Sequence, residues 1–220
     1  MISTVQTGHV GIGIHVGRDH THLATSGGCA HVFEAESGLF AIEGGTDQSK
    51  RRVVEFLAPG ELISDRVLGG FGAVRFRAVE AGTLRRYMRT EWLQDAPRDA
   101  LAGSLEAAAA RIVIANAIIG IADIDKRVAS FLGAMALRLG AARDPAAHVD
   151  VPLSRDDVAS HIQINPDTLS RCYSRLRARQ LVARSGQSRL VVLDLPTLLA
   201  ESPIADLIGR TFAPQSRPAG

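Results

Sequence analysis

The sequence predicts an α+β chain: an antiparallel β-roll first, a long apolar helix next, and a small helical head closed by a hairpin last. Three observations carry this. Up to about residue 95, short apolar runs alternate with glycine and proline turn signals. From Arg98 to Gly140 there is no proline, and alanine, leucine and isoleucine dominate. Between residues 153 and 193, two short amphipathic patterns precede two β-rich runs around Ser185-Gly186-Gln187-Ser188.

The totals bound the rest. A chain of 220 residues holds two modest domains. With 46% hydrophobic and 22% charged residues it reads as an ordinary globular protein, and 5% aromatics leave the core to aliphatic side chains. A net charge of +2 is too small to argue for a polyanionic partner, so the local distribution of charge decides. Cys29 and Cys172 make no disulfide framework and no metal-spaced pair. Residues 1–10 lack the features of a signal peptide, and the apolar run 112–122 is interrupted by Asn116 and too short to span a bilayer. The expectation is a cytoplasmic protein with no membrane partner.

Residues 1–97 are the predicted roll. Turn signals at Gly27-Gly28, Gly44-Gly45, Pro59-Gly60 and Gly69-Gly70 separate its strands, and residues 52–57 read as a strand entering the Ala58-Pro59-Gly60 turn. Residues 98–124 are the long helix. Leu101, Leu105, Ala108, Ile112, Ala115 and Ile119 step by four and three as a heptad-like seam, with Ile114, Ile118 and Ile121 as a second stripe. Two readings are open: a helix buried in its own domain, or one that also pairs with a second copy, which two stripes favour. Residues 125–150 hold an amphipathic helix over about 126–139, ended by Gly140, and a connector over 141–152. Residues 213–220 are expected to be a disordered tail.

The head, residues 151–212, is the most informative part. Ser154 is a good N-cap, with Asp156 and Asp157 in the first turn, where the helix dipole favours carboxylates. Gln163-Ile164-Asn165 forms a turn, and Pro166 stands at the first position of a second helix that runs to about Arg179. Leu169, Tyr173 and Leu176 form its apolar stripe. Asp167, Ser170 and Arg171, at i, i+3 and i+4, share a different face. Residues 181–193 read as a hairpin, and 195–200 as a short last helix. This is a winged helix-turn-helix, suited to placing its second helix in a major groove. Arginine pairs with guanine, a carboxylate accepts from cytosine, and serine is adaptable, so Asp167, Ser170 and Arg171 are the candidate base readers. Over residues 153–194 seven arginines face four aspartates, a local surplus larger than that of the whole chain. Ser154, Asn165 and Thr168 add neutral donors near the helix starts, and duplex DNA is the expected partner. The bland alternative is an arginine-rich solvated helix on a protein-interaction winged helix.

The run Ile164-Asn165-Pro166-Asp167-Thr168-Leu169-Ser170-Arg171 resembles the recognition helix of the Crp/Fnr family of bacterial transcription regulators, in its Fnr/FixK branch. Residues 153–159 resemble the family's first helix, and residues 125–132 the segment after its dimerisation helix. Upstream, residues 49–63, Ser37-Gly38 and residues 76–81 fall where the family's cyclic-nucleotide-binding-like β-roll has similar residues. The resemblance covers roughly residues 30–200. It implies a homodimer, a palindromic TTGAT-like site, RNA polymerase as a further partner, and Asp167, Ser170 and Arg171 facing bases. Ser154, Arg155, Asn165, Thr168, Arg175 and Arg189 would then hold phosphates. Two departures stand out: Asp167 replaces the usual glutamate, and Gln180 replaces the glycine common before the wing.

The control input is less legible. Where the family's cyclic-nucleotide pocket needs Gly-Glu and an arginine on the phosphate, this chain has Ser64-Asp65 and Gly72-Ala73, with Arg66 or Arg75 as shifted substitutes; this argues against a cyclic nucleotide. Two cysteines exclude a four-cysteine iron-sulfur cluster in a single chain. His9, His15, His20, His22, Cys29 and His31 concentrate metal or haem ligands, and His20-Thr21-His22 is a weak metal candidate by strand alternation. Cys172, beside Arg171, is either a redox thiol with a lowered pKa or a small core residue. No cofactor is expected. The alternative is a sensor in which a metal, haem or small molecule on the roll gates the head. No Ser/His/acid or paired-carboxylate grouping stands out, so no enzyme is expected.

Overall fold

A computed structural model describes residues 11–23, 31–45, 52–68, 73–95, 98–141, 148–185 and 189–212. The turn signals at Gly27-Gly28 and Gly69-Gly70, together with His9, Cys29, Gly72, the wing tip at 186–188 and the tail at 213–220, lie outside the described residues. The chain divides into two compact units, residues 1–110 and 111–220. The division falls inside the long helix rather than at its start.

The first unit is the predicted antiparallel roll. Its strands are β1 (Ile12–Val16), β2 (Thr21–Leu23), β3 (His31–Gly44), β4 (Arg52–Leu57), β5 (Leu62–Ser64) and β6 (Arg75–Met88), with the short helices α1 (Asp65–Leu68) and α2 (Arg89–Asp95). The central pair is β3 and β6; β1 and β2 add to β6, and β4 and β5 to β3, all antiparallel. Phe33, Phe40, Ile42, Leu57, Phe76 and Leu84 fill the core, and the second half of β3, from Leu39 to Gly44, is buried on both faces. The Pro59-Gly60 turn forms as expected: Gly60 takes a φ of 83°, and Glu61 N–H donates to the Ala58 carbonyl at 3.0 Å.

α3 (Arg98–Ile119) is the long helix, and the second unit continues with α4 (Ile124–Ala136). Asp123 caps α4 by accepting from Lys126 N–H at 3.2 Å. A π-helical turn, Leu137–Ala141, ends this stretch at Gly140, whose φ of 138° stops the helix as predicted. α5 (Arg155–His161) and α6 (Pro166–Ala178) are the helix pair, and β8 (Val182–Ser185) and β9 (Arg189–Val192) are the wing strands. α7 (Leu195–Ala200) and α8 (Ala205–Phe212) follow. Two elements correct the sequence reading. The stretch expected as a connector contains β7 (Val149–Val151), which pairs with β9 and extends the wing to three strands. α8 lies where no element was expected. The core joins Val128, Phe131, Leu132 and Met135 of α4 to Val158, Ile162, Leu169, Leu176, Val192 and Leu198.

Within α3 the stretch Ala102–Ile119 is long and apolar enough by composition to cross a membrane, and 17% of it is buried.

Candidate nucleic-acid interface

The helix pair is fixed by its ends. Ser154 Oγ accepts from Asp157 N–H at 3.1 Å and donates to the Asp157 carboxylate at 2.7 Å, a reciprocal cap. Asn165 Oδ1 accepts from Asp167 N–H at 2.7 Å, and Pro166 stands at the first helical position. Both helices then end in a left-handed glutamine, Gln163 (φ 56°) and Gln180 (φ 59°). After α6, Leu181 N–H donates to Leu176 O and Gln180 N–H to Arg177 O, the bond pair of a Schellman turn. After α5, Ile164 N–H donates to Ala159 O in the same way. The first of these tight turns joins α5 to α6, and the second leads from α6 into the wing strand β8.

Leu169, Cys172 and Leu176 are buried, and this turns Asp167 and Arg171 outward into solvent. Among the described residues neither of those side chains has a partner, so both are free to meet a ligand. Ser170 is half-buried beside them; its hydroxyl donates to the Pro166 carbonyl at 3.0 Å and accepts from Arg155 at 3.4 Å. Arg155 is exposed and approaches from α5, so the three expected readers and one expected phosphate ligand form a single surface. Asn165 is exposed at its edge and Thr168 half-buried.

Two expected phosphate ligands are otherwise engaged. The Ser154 hydroxyl is closed on Asp157, as above. Arg175 forms a two-pronged pair with Asp125, its Nε at 3.0 Å from Oδ2, and also donates to Cys172 Sγ at 3.3 Å. The Arg175 hydrogen bond holds the Asp125 carboxyl below its ordinary range. Arg179 is likewise held by Glu201 at 2.6 Å. One flank of α6 is thus neutralised, while Arg171 has no ion pair among the described residues and Arg155 keeps only a looser one, 3.4 Å to Asp156. Arg189 stands half-buried on the wing.

Cys172 is a core residue. Burial and a hydrogen bond to Asp125 push its thiol up to about 12, against a smaller opposite effect of Arg175. Of the two alternatives for Cys172, this favours the small core residue over a thiol acidified by nearby guanidinium groups, because the thiol is buried and Arg171 is exposed.

Residues 125 and 127 are missed by a reading of the recognition helix alone. Arg127 donates from Nε and Nη2 to the Ile121 carbonyl at 2.8 and 2.6 Å and from Nη1 to the Ile162 carbonyl at 3.3 Å. It thereby joins Ile121, two residues before the α4 cap, to the start of the α5–α6 turn. The signal was present as Asp125-Lys126-Arg127, but its partners lie far along the sequence.

In the first unit, the two histidines of the weak metal candidate differ in setting. His20 precedes β2, is exposed, and its Nδ1 lies 3.0 Å from the Arg18 carbonyl; His22 faces inward with its ring 6.5 Å from that of Phe33. Burial, and then Arg86, lower the His22 pKa. Among the described residues no group of three His, Cys, Asp or Glu side chains stands together. Arg75, one substitute for a cyclic-phosphate ligand, is held by Glu43 at 2.6 Å, and Arg77 donates to the same carboxylate. Burial raises the Glu43 pKa, but these two hydrogen bonds outweigh it and the net shift is downward. Arg66, the other substitute, is exposed on α1. Asp65, in the position of the family's glutamate, is buried and accepts from the His31 backbone N–H at 2.9 Å.

The comparisons with known proteins agree with this architecture. Residues 126–201 match the Crp-like helix-turn-helix domain model. The chain is 28% identical over 151 residues to the nitrogen fixation regulation protein FixK of Rhizobium meliloti, covering 69% of this chain and 68% of that protein. Its fold matches that of FixK2 from Bradyrhizobium japonicum with a TM-score of 0.67 at 19% identity, over 88% of this chain and 98% of the other. A CRP-family transcriptional regulator from Thermus thermophilus matches with a TM-score of 0.66 at 20% identity, over 86% and 96%.

Proposed function

Because this chain belongs to the Crp/Fnr family of DNA-binding transcription regulators, close to FixK, we propose that it acts in the cytoplasm as a homodimer on a palindromic, TTGAT-like duplex site and needs no small effector. One observation carries the reading: Asp167 and Arg171 stand exposed, and without a partner among the described residues, on one face of a helix whose opposite face is locked into the core. Arg171 offers a fork for a guanine edge. Asp167 offers an acceptor for a cytosine amino group, one methylene shorter than glutamate. Ser170 gives its proton to Pro166 O, so toward DNA it presents an acceptor oxygen and its methylene. Arg155 supplies phosphate contact.

The homodimer is supported by α3. Leu105, on the expected seam, is 51% exposed, and Val113 58%, on a helix that buries Ile114 and Ile118. Ala108, Ile112, Ala115 and Ile119 are half-buried, and the Leu101 side chain lies outside the described residues. Effector independence is supported by the engagement of Arg75 with Glu43, which withdraws one cation from any anionic effector. RNA polymerase is the partner that the family implies, and neither membrane association nor enzymatic activity forms part of this reading.

Selection of bound sites from random duplexes at stated salt tests the proposal. The expected result is a palindrome with half-sites about one helical turn apart; a single asymmetric half-site, or no preference, overturns it. Arg171→Ala is expected to cost roughly 1–3 kcal/mol and to relax preference at one position. An absorbance spectrum and metal analysis of the purified protein separate it from a haem- or metal-gated regulator.

A further inference from the structure

α4 begins with two charged side chains, Asp125 and Arg127, that hold the recognition helix at two places, and Arg127 also holds the chain leaving α3. The link between α3 and α4 is residues 120–123. Gly120 N–H donates to Asn116 O at 3.0 Å and Ile121 N–H to Ile118 O at 3.1 Å, and Asp123 accepts from Lys126 N–H. The carbonyl of the buried Ile121 receives Nε and Nη2 of Arg127 at 2.8 and 2.6 Å. The third nitrogen, Nη1, reaches the carbonyl of the fully buried Ile162, the C-cap of α5, at 3.3 Å. Both acceptors lie at or just past a helix C-terminus, where carbonyls lack intrahelical partners. A guanidinium there also meets the negative end of the helix dipole.

One planar fork therefore spans two connections with different roles. The last turns of α3, from Arg111 on, belong to the same compact unit as the helix pair. The 120–123 link decides the direction in which the chain leaves them. The α5–α6 turn starts at Ile162, passes through the left-handed Gln163 and ends at Asn165, whose side chain caps α6. Asp167 and Arg171 follow within that helix. Asp125 holds Arg175 further along it. α6 is thus tied to the start of α4 at its entry and again at Arg175. The two ties differ in strength. The Asp125–Arg175 pair joins half-exposed side chains and is screened by water and salt. Arg127 is half-buried, and its three charge-assisted hydrogen bonds end on backbone oxygens. A lysine, as a point charge on a flexible stem, has no fork with which to span both carbonyls.

A fixed recognition helix matters most when two must act together, so the consequence rests on the homodimer reading above. One base pair inserted between two half-sites moves the second by roughly 3.4 Å and turns it by about 35°. A head held firmly at the end of its α3 cannot follow that change, whereas one that swings at the 120–123 link can. We propose that Arg127 is a positioning residue that fixes α6 relative to the end of α3 and so makes the protein selective for one half-site spacing. It acts through the Ile121 and Ile162 carbonyls and touches no DNA.

The test compares the wild type with Arg127→Met, which keeps an unbranched stem but donates nothing, and with Arg127→Lys. Affinity is measured on the selected palindrome, on the same palindrome with one base pair inserted or deleted between its half-sites, and on an isolated half-site. The wild type should lose roughly tenfold or more when the spacing changes, because the second half-site no longer adds avidity. Both variants should keep their half-site affinity within about twofold and discriminate between spacings by about threefold or less. Arg127→Lys carries the comparison if Arg127→Met fails to fold, since its ammonium still satisfies one carbonyl. Variants that keep the wild-type spacing preference overturn the proposal. Variants that lose half-site and palindrome affinity equally also overturn it, since Arg127 would then serve only the integrity of the helix pair. A wild-type dimer that binds every spacing alike overturns the proposal alone, whereas a wild type that sediments as a monomer overturns the homodimer reading itself.

Discussion

Asp125 decides what Arg175 can do. A guanidinium held at both prongs by a carboxylate presents little free charge, whereas Arg155 has only a 3.4 Å contact to Ser170 and another to Asp156. Each phosphate contact releases counterions and steepens the salt dependence of binding by roughly one unit. Arg155→Ala should therefore flatten the salt slope by about one, and Arg175→Ala should leave it nearly unchanged; equal flattening would show that the Asp125 pair opens on DNA. The sign with pH follows from the depressed Asp125 pKa. Its pair contributes at pH above the ordinary carboxylate range and is lost as pH falls through the lowered value. Both side chains are about half exposed, so the contribution to stability is small. Cys172 behaves oppositely. Its raised pKa keeps the native thiol protonated, so its contribution holds below the free thiol range and fades as pH rises toward 12. Alkylation by iodoacetamide at pH 8 should be slow in the native protein and fast in denaturant, and peroxide should leave DNA affinity unchanged. Rapid native alkylation would return Cys172 to the role of a redox thiol.

At the scale of elements, the two glutamines at the ends of α5 and α6 are where sequence and geometry pull against each other. A left-handed backbone costs a residue with a Cβ roughly 1 kcal/mol or more, and glycine nothing. Gln163 and Gln180 each accept that strain because the Schellman turn behind them satisfies carbonyls that would otherwise be orphaned. Gln180→Gly should raise stability by about 0.5–1 kcal/mol in chemical denaturation, with Gln163→Gly similar; a loss at either position would mean that the side chain makes contacts worth more than the strain. The turn itself was legible, since Asn165 and Pro166 announce a helix start, and so was the oddity of Gln180. What it resolves into was not, because φ is a property of the turn and not of the residue. β7 escaped for a related reason. Val149 and Val151 flank a single aspartate beside a proline, and only pairing with β9 makes three such residues a strand. α8 did carry a signal, Ser202-Pro203, and the Ser202 hydroxyl accepts from Ile204 N–H at 3.2 Å just before the helix. The site was more legible than these elements. Asp167, Ser170 and Arg171 followed from helical spacing, whereas the engagement of Ser154 and Arg175 depends on Asp157 and Asp125, and the second of those partners lies 50 positions upstream.

For the whole molecule, a palindromic site makes DNA affinity depend on self-association. A dimer engages its second half-site at the high effective concentration set by the first, so avidity exceeds that of one head by roughly 10²–10⁴. Leu105→Glu separates the two contributions. Leu105 is 51% exposed, so the substitution spares the subunit core, but it sets two carboxylates in an apolar seam. The variant should keep its circular dichroism and unfolding midpoint, sediment as a monomer, and lose at least tenfold in affinity for the palindrome. Its affinity for an isolated half-site should match that of the wild type, and its binding curve on the palindrome should steepen, since two monomers must now assemble on the DNA. If the affinity for the palindrome were retained by a monomeric Leu105→Glu, recognition would reside in a single head. The symmetry of the selected site would then reflect two independent binding events, and α3 would need a partner other than DNA-bound copies of itself.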